Sequence, residues 1–552
     1  MRPVIIIGAG IAGLSAAIAL AEQGQKSVLV STMPSERAQS VMAEGGINAA
    51  LDTKGQGDSP EEHFRDTIRS GCGLSNPTAV RALTEGAPAL VRALAALGVP
   101  FHRTRTGEID LRYFGGQKKQ RTAFAQSSTG KQITAALIQE ARKWEGRGLI
   151  ARRPRHMLVE LTVDGQGRCT GCILLEETTK ALEPLAGPVL LASGGLNGLF
   201  GKTTGTTQNT GAATAAAFAA GAACANLEMI QYHPTTTPIS GKRALISEAA
   251  RGEGGRLFVL RGGARWYYME ERYPELGNLM PRDVVARETE QACRETGQET
   301  AFLDMSGVSE AAFAEKLSDL RQFCLEFLKL DPVQQPIPVY PGIHYFMGGL
   351  YVDAAHRTTL RQLYAAGECA CQYHGANRLG GNSLLGAAFG GRRAARTILE
   401  EGARDAELPA DGTALQQILA AMEKRKERCS CAAAQKRLAE IMNGCMGIRR
   451  SEERLAEGAE ALTSLLLLLG RSRDSRVSGA EQLLLERRIL LARAMVESAR
   501  ARKESRGAHW RTDYPQRDDA QFQKTAVVRL RGGKTDLNWD AIPEEGVPWS
   551  IN

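Results

Sequence analysis

The stretch from Val4 to Gly24 constrains the fold more than any other. Val4–Ile7 is a short apolar run rich in β-branched residues, the pattern of a buried strand. It leads straight into Gly8, Gly10 and Gly13, a GxGxxG. From Ile11 the spacing predicts a helix ending near Gly24, and Ser27–Thr32 reads as the next strand. Gly8 permits a tight turn, Gly10 lets the backbone approach a pyrophosphate, and Gly13 lets helix and strand pack closely. The helix N-terminus offers free N–H groups to phosphate. A lone GxGxxG is weak, but one that follows a strand, opens a helix and returns to a strand is a dinucleotide-binding fingerprint. The acid that usually holds the ribose is missing. Ser31 and Thr32 stand there, which weakens a plain NAD reading and leaves FAD open.

Two later segments extend the same sheet. GPVLLASGGLNGLF, from Gly187, is an apolar strand running into Ala192-Ser193-Gly194-Gly195. LYAAGECA, from Leu363, ends on Gly367-Glu368. Strands that end on small residues, far apart in sequence, suit one sheet lining one long cofactor, as in a two-dinucleotide-fold flavoprotein.

The 552 residues allow two or three domains with sizeable cores. Lys and Arg exceed Asp and Glu by eight, but the two signs are interspersed, so no nucleic-acid-binding face is expected. Eleven cysteines, an odd number spread along a long chain, argue for a reducing compartment and against a disulfide framework. Cys169/Cys172, Cys369/Cys371 and Cys429/Cys431 are not matched by second sets at zinc or iron–sulfur spacing, so no metal site is expected. Ser464–Gly470, SLLLLLG, is too short to span a bilayer.

Further strings carry a family resemblance: EGGINAAL at Glu44, YFGGQ at Tyr113, EMIQYHPT at Glu228, LISEAARGEGG at Leu245 and MPRDVVARE at Met280. HYFMGGLYVD at His344, HGANRLGGNSLL at His374, GIRRSEERL at Gly447 and ESRGAHWRTDYPQRDD at Glu504 follow. With these the chain resembles, nearly end to end, the flavoprotein subunits of succinate dehydrogenase and fumarate reductase, a family that includes L-aspartate oxidase. The resemblance implies an α/β FAD-binding two-dinucleotide (Rossmann-like) fold with an inserted α+β capping domain and a C-terminal helical domain. It also implies interconversion of fumarate and succinate, with a hydride moving at flavin N5 and a proton at the neighbouring carbon.

By resemblance, His344 and Arg378 hold one carboxylate of the substrate, and His233 and the Ser247 hydroxyl hold the other. Ser247 stands where the family usually has Thr. Arg282 resembles the proton donor or acceptor, with Glu248 and Arg251 as its relay. An arginine has a pKa above about 12 and is a poor acid unless buried beside other cations and fed through such a relay. Phe114 is expected to stack on a flat enedioate. Gly8, Gly10, Gly13, Ser31, Gly45, Gly46, Glu368, Ser383 and Leu384 are assigned to the cofactor. Arg287 reads as structural, His374 as a scaffold group, and His63, His102, His156, His356 and His509 are given no functional role.

Two departures from the family matter, and one agreement with its dicarboxylate enzymes separates the chain from the aspartate oxidases. Gln39 occupies the position of the histidine that bonds covalently to flavin in the respiratory enzymes, so FAD is expected to be held non-covalently, which should favour fumarate reduction. Ala212-Ala213 replace a common Asp-Gly that helps hold the cofactor. Phe114 precedes Gly115-Gly116 where aspartate oxidases carry a Glu suited to an ammonium, which favours fumarate and succinate over aspartate. A non-catalytic flavin scaffold is the reading from another class. The intact His233, His344, Arg282 and Arg378 set argues against it.

The expected organisation is an FAD-binding domain in two parts (1–234 and 342–400), a capping domain (235–341), a helical domain (408–502) and a tail (503–552) containing Trp510, Trp539 and Trp549 and few periodic signals. Leu485, Ile489, Ala492 and Val496 make one apolar helix face, and Arg493 and Glu497 can pair in solvent. No cluster-ligand or haem motif is present. The resemblance therefore implies an iron–sulfur subunit and a membrane anchor as partners, and a cytoplasmic location, peripheral to the inner face of the cell membrane through those partners.

Overall fold

The computed structural model describes residues 2–239, 241–402 and 412–546. Its centre is a five-stranded parallel sheet in the order Leu363–Ala365, Val189–Leu191, Val4–Ile7, Ser27–Ser31, Ile150–Pro154. Numbered along the chain this is 5-4-1-2-3, a doubly wound order whose switch point lies between Val4–Ile7 and Val189–Leu191. Ligands bind beyond the carboxyl ends of strands at such a point, and there Gly8 meets Ala192. A Cβ on Gly8 (φ +120°) would sit 2.1 Å from Ala192 O, and one on Gly13 1.8 Å from Gly8 O. Both glycines are thus fixed by close packing. The helix Ile11–Glu22 and the helix Asn382–Glu401 cover one face, their buried residues joining Val4, Ile6, Leu29 and Leu190 in one core.

Residues 230–346 contribute an antiparallel sheet of six strands. Ile230–Ile239 and Ile337–Phe346 form its central pair, and Ala301–Asp304, Arg256–Arg261 and Ala264–Trp266 extend it outward. The helix Arg282–Thr296 packs on it. The central pair therefore runs from the nucleotide fold into the cap, which brings cap residues to the cofactor side.

Four helices, Thr413–Glu423, Cys431–Cys445, Glu452–Arg471 and Gly479–Ala501, form the C-terminal bundle; Leu408 lies outside the described residues. In the last helix Leu485, Ile489, Ala492 and Val496 are all buried. Arg493 does reach Glu497 (3.3 Å), but Arg493 is largely covered, because the hairpin of Lys524–Arg531 and Lys534–Ala541 brings Thr535 against Glu497. That hairpin is more order than the sequence led one to expect. It pairs with Cys224–Ala225, in a second five-stranded sheet, and turns on Gly532-Gly533. Trp549 lies outside the described residues. Among the described residues no helix is long and apolar enough to cross a membrane.

Candidate active site

One cleft runs over the switch point. Gly8, Gly10, Ser31, Glu368, Ser383 and Leu384 line it; Gly13 lies behind it in the helix packing. The cleft continues past Gln39 and Ser40 to Leu245, His344 and Tyr345. The residues fit FAD. Gly10 caps the helix Ile11–Glu22 with no side chain of its own, Ile11 N donating to Ser40 Oγ (3.2 Å), and small residues continue the wall at Ala192, Ser193 and Gly194. Glu368 reaches in from the fifth strand and accepts a bond from Phe346 N (3.1 Å), and burial raises its carboxyl to about 7. Gly45 and Gly46 have packing reasons of their own. A Cβ on Gly45 would meet the Phe114 ring at 2.9 Å, and one on Gly46 would meet Thr122 at 2.5 Å.

Several lining residues were not foreseen. His156, given no role in the sequence reading, lines the cleft near Met157 and Glu177, its Nδ1 on Pro154 O (2.8 Å). Asn209 approaches Gly194 beside Ala212 and Ala213 and supplies polarity in a loop without the usual Asp. Gln39 is not an idle replacement: its Oε1 accepts from Thr206 N at 2.6 Å, tying two cleft loops together.

At the His344 end of the cleft the charged residues converge. Arg282, the first residue of its helix, donates to Glu248 Oε2 from Nη2 (2.6 Å) and Nε (2.9 Å). Arg251 donates to the other oxygen, Oε1, at 3.0 Å. Gly115 is a glycine because Glu248 lies against it: a Cβ would stand 2.5 Å from Oε1. The His233 and His344 rings meet edge to face, 5.1 Å between centroids. His344 Nδ1 pairs with Thr204 Oγ1 (2.8 Å), and His233 Nδ1 with Thr235 O (3.1 Å), leaving His233 Nε2 buried and unpartnered. Ser247 is buried on the segment that pairs with His233's own, through Ile246 N to Thr235 O (3.0 Å). Arg378 lies over the Tyr345 ring, 4.4 Å from its centroid, with Nε unpartnered. Phe114 is buried against Gly45 and Gly380, on the wall that Glu248 shares. His374 packs edge-on to Tyr345, and Arg287 lies over Trp510.

The electrostatics are those of a site short of negative charge. Burial pushes the Glu248 carboxyl up, but Arg282 and Arg251 together outweigh it and hold it at about 2. Burial first, and Arg282 next, push Arg378 down to about 9. Both histidines are driven well below the usual imidazole range, by burial and then by Arg282, so both are neutral. Three guanidinium groups thus face one carboxylate in a water-poor space, an arrangement that costs several kcal/mol per unpaired ion until anions complete it.

The fold, the cofactor cleft and the cationic pocket at its end define an FAD-binding oxidoreductase. The family model described as FAD binding domain matches residues 3–384, and the one described as Fumarate reductase flavoprotein C-term matches residues 435–549. The succinate dehydrogenase flavoprotein subunit of Bacillus subtilis is 36% identical over 548 residues, 95% of this chain and 93% of its own. The L-aspartate oxidase of Streptomyces coelicolor is 35% identical, over 96% and 92% of the two chains. Among solved structures, E. coli quinol fumarate reductase FrdA superposes with a TM-score of 0.90 at 30% identity, covering 100% of this chain and 98% of that one. The chain belongs to the succinate dehydrogenase and fumarate reductase flavoprotein family, in which L-aspartate oxidases also fall.

Proposed function

We propose that the chain interconverts fumarate and succinate as the flavoprotein subunit of a fumarate reductase or succinate dehydrogenase. One observation carries this reading: Glu248 is shared by Arg251 and Arg282, and among the described residues no carboxylate is bonded to Arg378, which leaves positive charges unmatched in a buried pocket. A dicarboxylate dianion balances them. His344 and Arg378 hold one carboxylate; His233, whose Nε2 has no other partner, and Ser247 hold the second. Phe114 offers no charge to an ammonium. FAD bound in the cleft supplies the hydride at N5.

Arg282 is the proton donor in this scheme. Its guanidinium is fixed from two sides, by Glu248 and by Gln231 Oε1 (3.3 Å), so it cannot swing toward solvent. When Arg282 gives a proton to the substrate carbon, the ionised Glu248 takes a proton from Arg251 and hands one on to Arg282, and Arg251 regains its own from water when the site reopens. Excluding water keeps these transfers directed, and the cap supplies that exclusion because Arg282, Glu248 and Arg251 are all its residues. The domain limits given above, non-covalent FAD with Gln39 in place of the linking histidine, an iron–sulfur partner with a membrane anchor, and a location on the inner face of the cell membrane belong to this same reading.

The test is a comparison of substrates on FAD-loaded protein. Reduced viologen bleached on adding fumarate supports the proposal. Peroxide formed from L-aspartate, with no response to fumarate, would support an aspartate oxidase instead. Silence with both would leave a flavin scaffold.

A further inference from the structure

We propose that Asn377 is a positioning residue that locks the cap helix bearing Arg282 onto the loop bearing Arg378. The inference rests on the functional reading above only in what the two arginines do. Asn377 uses both ends of its amide. Its Oδ1 accepts from Gln231 Nε2 at 2.8 Å, and its Nδ2 donates to Asp283 Oδ1 at 2.9 Å. Asp283 follows Arg282 directly and sits in the first turn of Arg282–Thr296, where the helix end favours a carboxylate. Gln231 closes the circuit. The same Nε2 donates to Arg378 O (2.9 Å), and its Oε1 accepts from Arg282 Nη1 (3.3 Å).

Arg282 and Arg378 are therefore tied through two linked amides: Gln231, from the strand that leads into the cap, bonds the Arg282 guanidinium and the Arg378 carbonyl, and Asn377, next to Arg378 on the substrate loop, bonds Gln231 and Asp283, next to Arg282. Gln231 is 0% exposed and Asn377 3%, so water cannot replace a lost partner. The helix cannot withdraw without breaking the Asn377–Asp283 and Gln231–Arg282 bonds together. Bringing Arg378 into place and bringing Arg282 into place are thus one event. The donor and acceptor pattern also explains why an amide is needed: the end of residue 377 that faces Asp283 must carry N–H.

That requirement gives a swap test on the FAD-loaded full chain. N377D keeps the shape but sets a carboxylate against Asp283. Adding D283N restores an N–H between the two positions, while Gln231 still donates to the other oxygen of residue 377. For the fumarate reaction, kcat/KM of N377D should fall about 30-fold or more, with kcat and KM both affected, and N377D/D283N should return to within about fivefold of wild type. D283N alone, which leaves an acceptor facing Asn377, should lose less than about fivefold. Hydrogen–deuterium exchange in the first turn of Arg282–Thr296 should quicken in N377D and recover in the double variant. Exchange does not depend on the substrate, so a wild type inactive with fumarate would overturn the functional reading while exchange still judged the lock. A double variant no better than N377D in exchange, or an N377D with wild-type exchange, overturns the proposal. Should N377D fail to fold, Asn377→Ala removes both bonds without a new charge, and unaltered exchange in that variant overturns it equally.

Discussion

Glu248 Oε2 accepts two hydrogen bonds from Arg282, at 2.6 and 2.9 Å, while its other oxygen is held by Arg251. One carboxylate thus joins two buried guanidiniums and gives a proton a direct path between them. Glu248→Gln removes the charge and the basic carboxylate oxygens that could take up and pass on a proton, but keeps the shape. Its kcat should drop by about 10²- to 10⁴-fold, the range for losing a proton-transfer group, with little rise in KM. Steady-state rates with fumarate check this; a kcat near wild type would remove Glu248 from the relay.

Among the described residues Arg378 has no acid bonded to it, and its Nε is unpartnered. Replacing it with Met should raise KM for fumarate by about 30-fold or more, since truncating one side of a buried charge pair costs about 2–5 kcal/mol. The fold should survive, because the change relieves a cation whose burial is otherwise uncompensated. A thermal melt alongside the kinetics separates the two effects.

Gln39 spends its carbonyl on Thr206 N and offers no nucleophile to a flavin. Unfolding the loaded protein in guanidinium and filtering it should send all yellow colour into the filtrate. Flavin retained with the chain would mean a covalent link elsewhere.

Burial raises the Glu44 carboxyl to about 8 although Arg112 opposes it, and raises Glu368 to about 7. Unfolded, both ionise near 4.5. Between those values each of the two carboxyls is protonated in the folded apoprotein and ionised in the unfolded chain, so their own contribution to stability falls as pH rises from 5 to 8, while the buried neutral histidines contribute in the opposite direction up to about pH 6.5. Each group contributes at most about 1.4 kcal/mol per pH unit to the slope. Relative to wild type, Glu44→Gln should shift the slope of the urea midpoint against pH in the positive direction over that range, and a slope identical to wild type would show Glu44 to be ionised throughout.

The parts legible in the sequence are those whose reasons are local or tied to long family strings. Gly8 and Gly13 announce themselves because a Cβ has nowhere to go. His233, His344, Arg282 and Arg378 stand in distinctive strings, and the fold brings them together. Gln231, Thr204 and Asn377 were not singled out. Their importance lies in buried bonds to residues 51, 140 and 94 positions away, and no local pattern marks such a pairing. His156 was passed over because a lone histidine carries no signal until Val189–Leu191 and Ile150–Pro154 are placed in one sheet. The terminal hairpin could have been found: Gly532-Gly533 between two runs with strand-like residues is a two-residue turn signal.

The most direct test of the central claim, that a cationic pocket pins a diacid while Arg282 delivers the proton, is a single-turnover measurement. Enzyme with fully reduced flavin is mixed anaerobically with fumarate, and reoxidation is followed in wild type and in Arg282→Lys. Rapid reoxidation in wild type is expected, slowed by about 10³-fold in the variant, with fumarate affinity changed by less than about tenfold because Arg378 and both histidines remain. Reoxidation in Arg282→Lys at the wild-type rate would contradict the account.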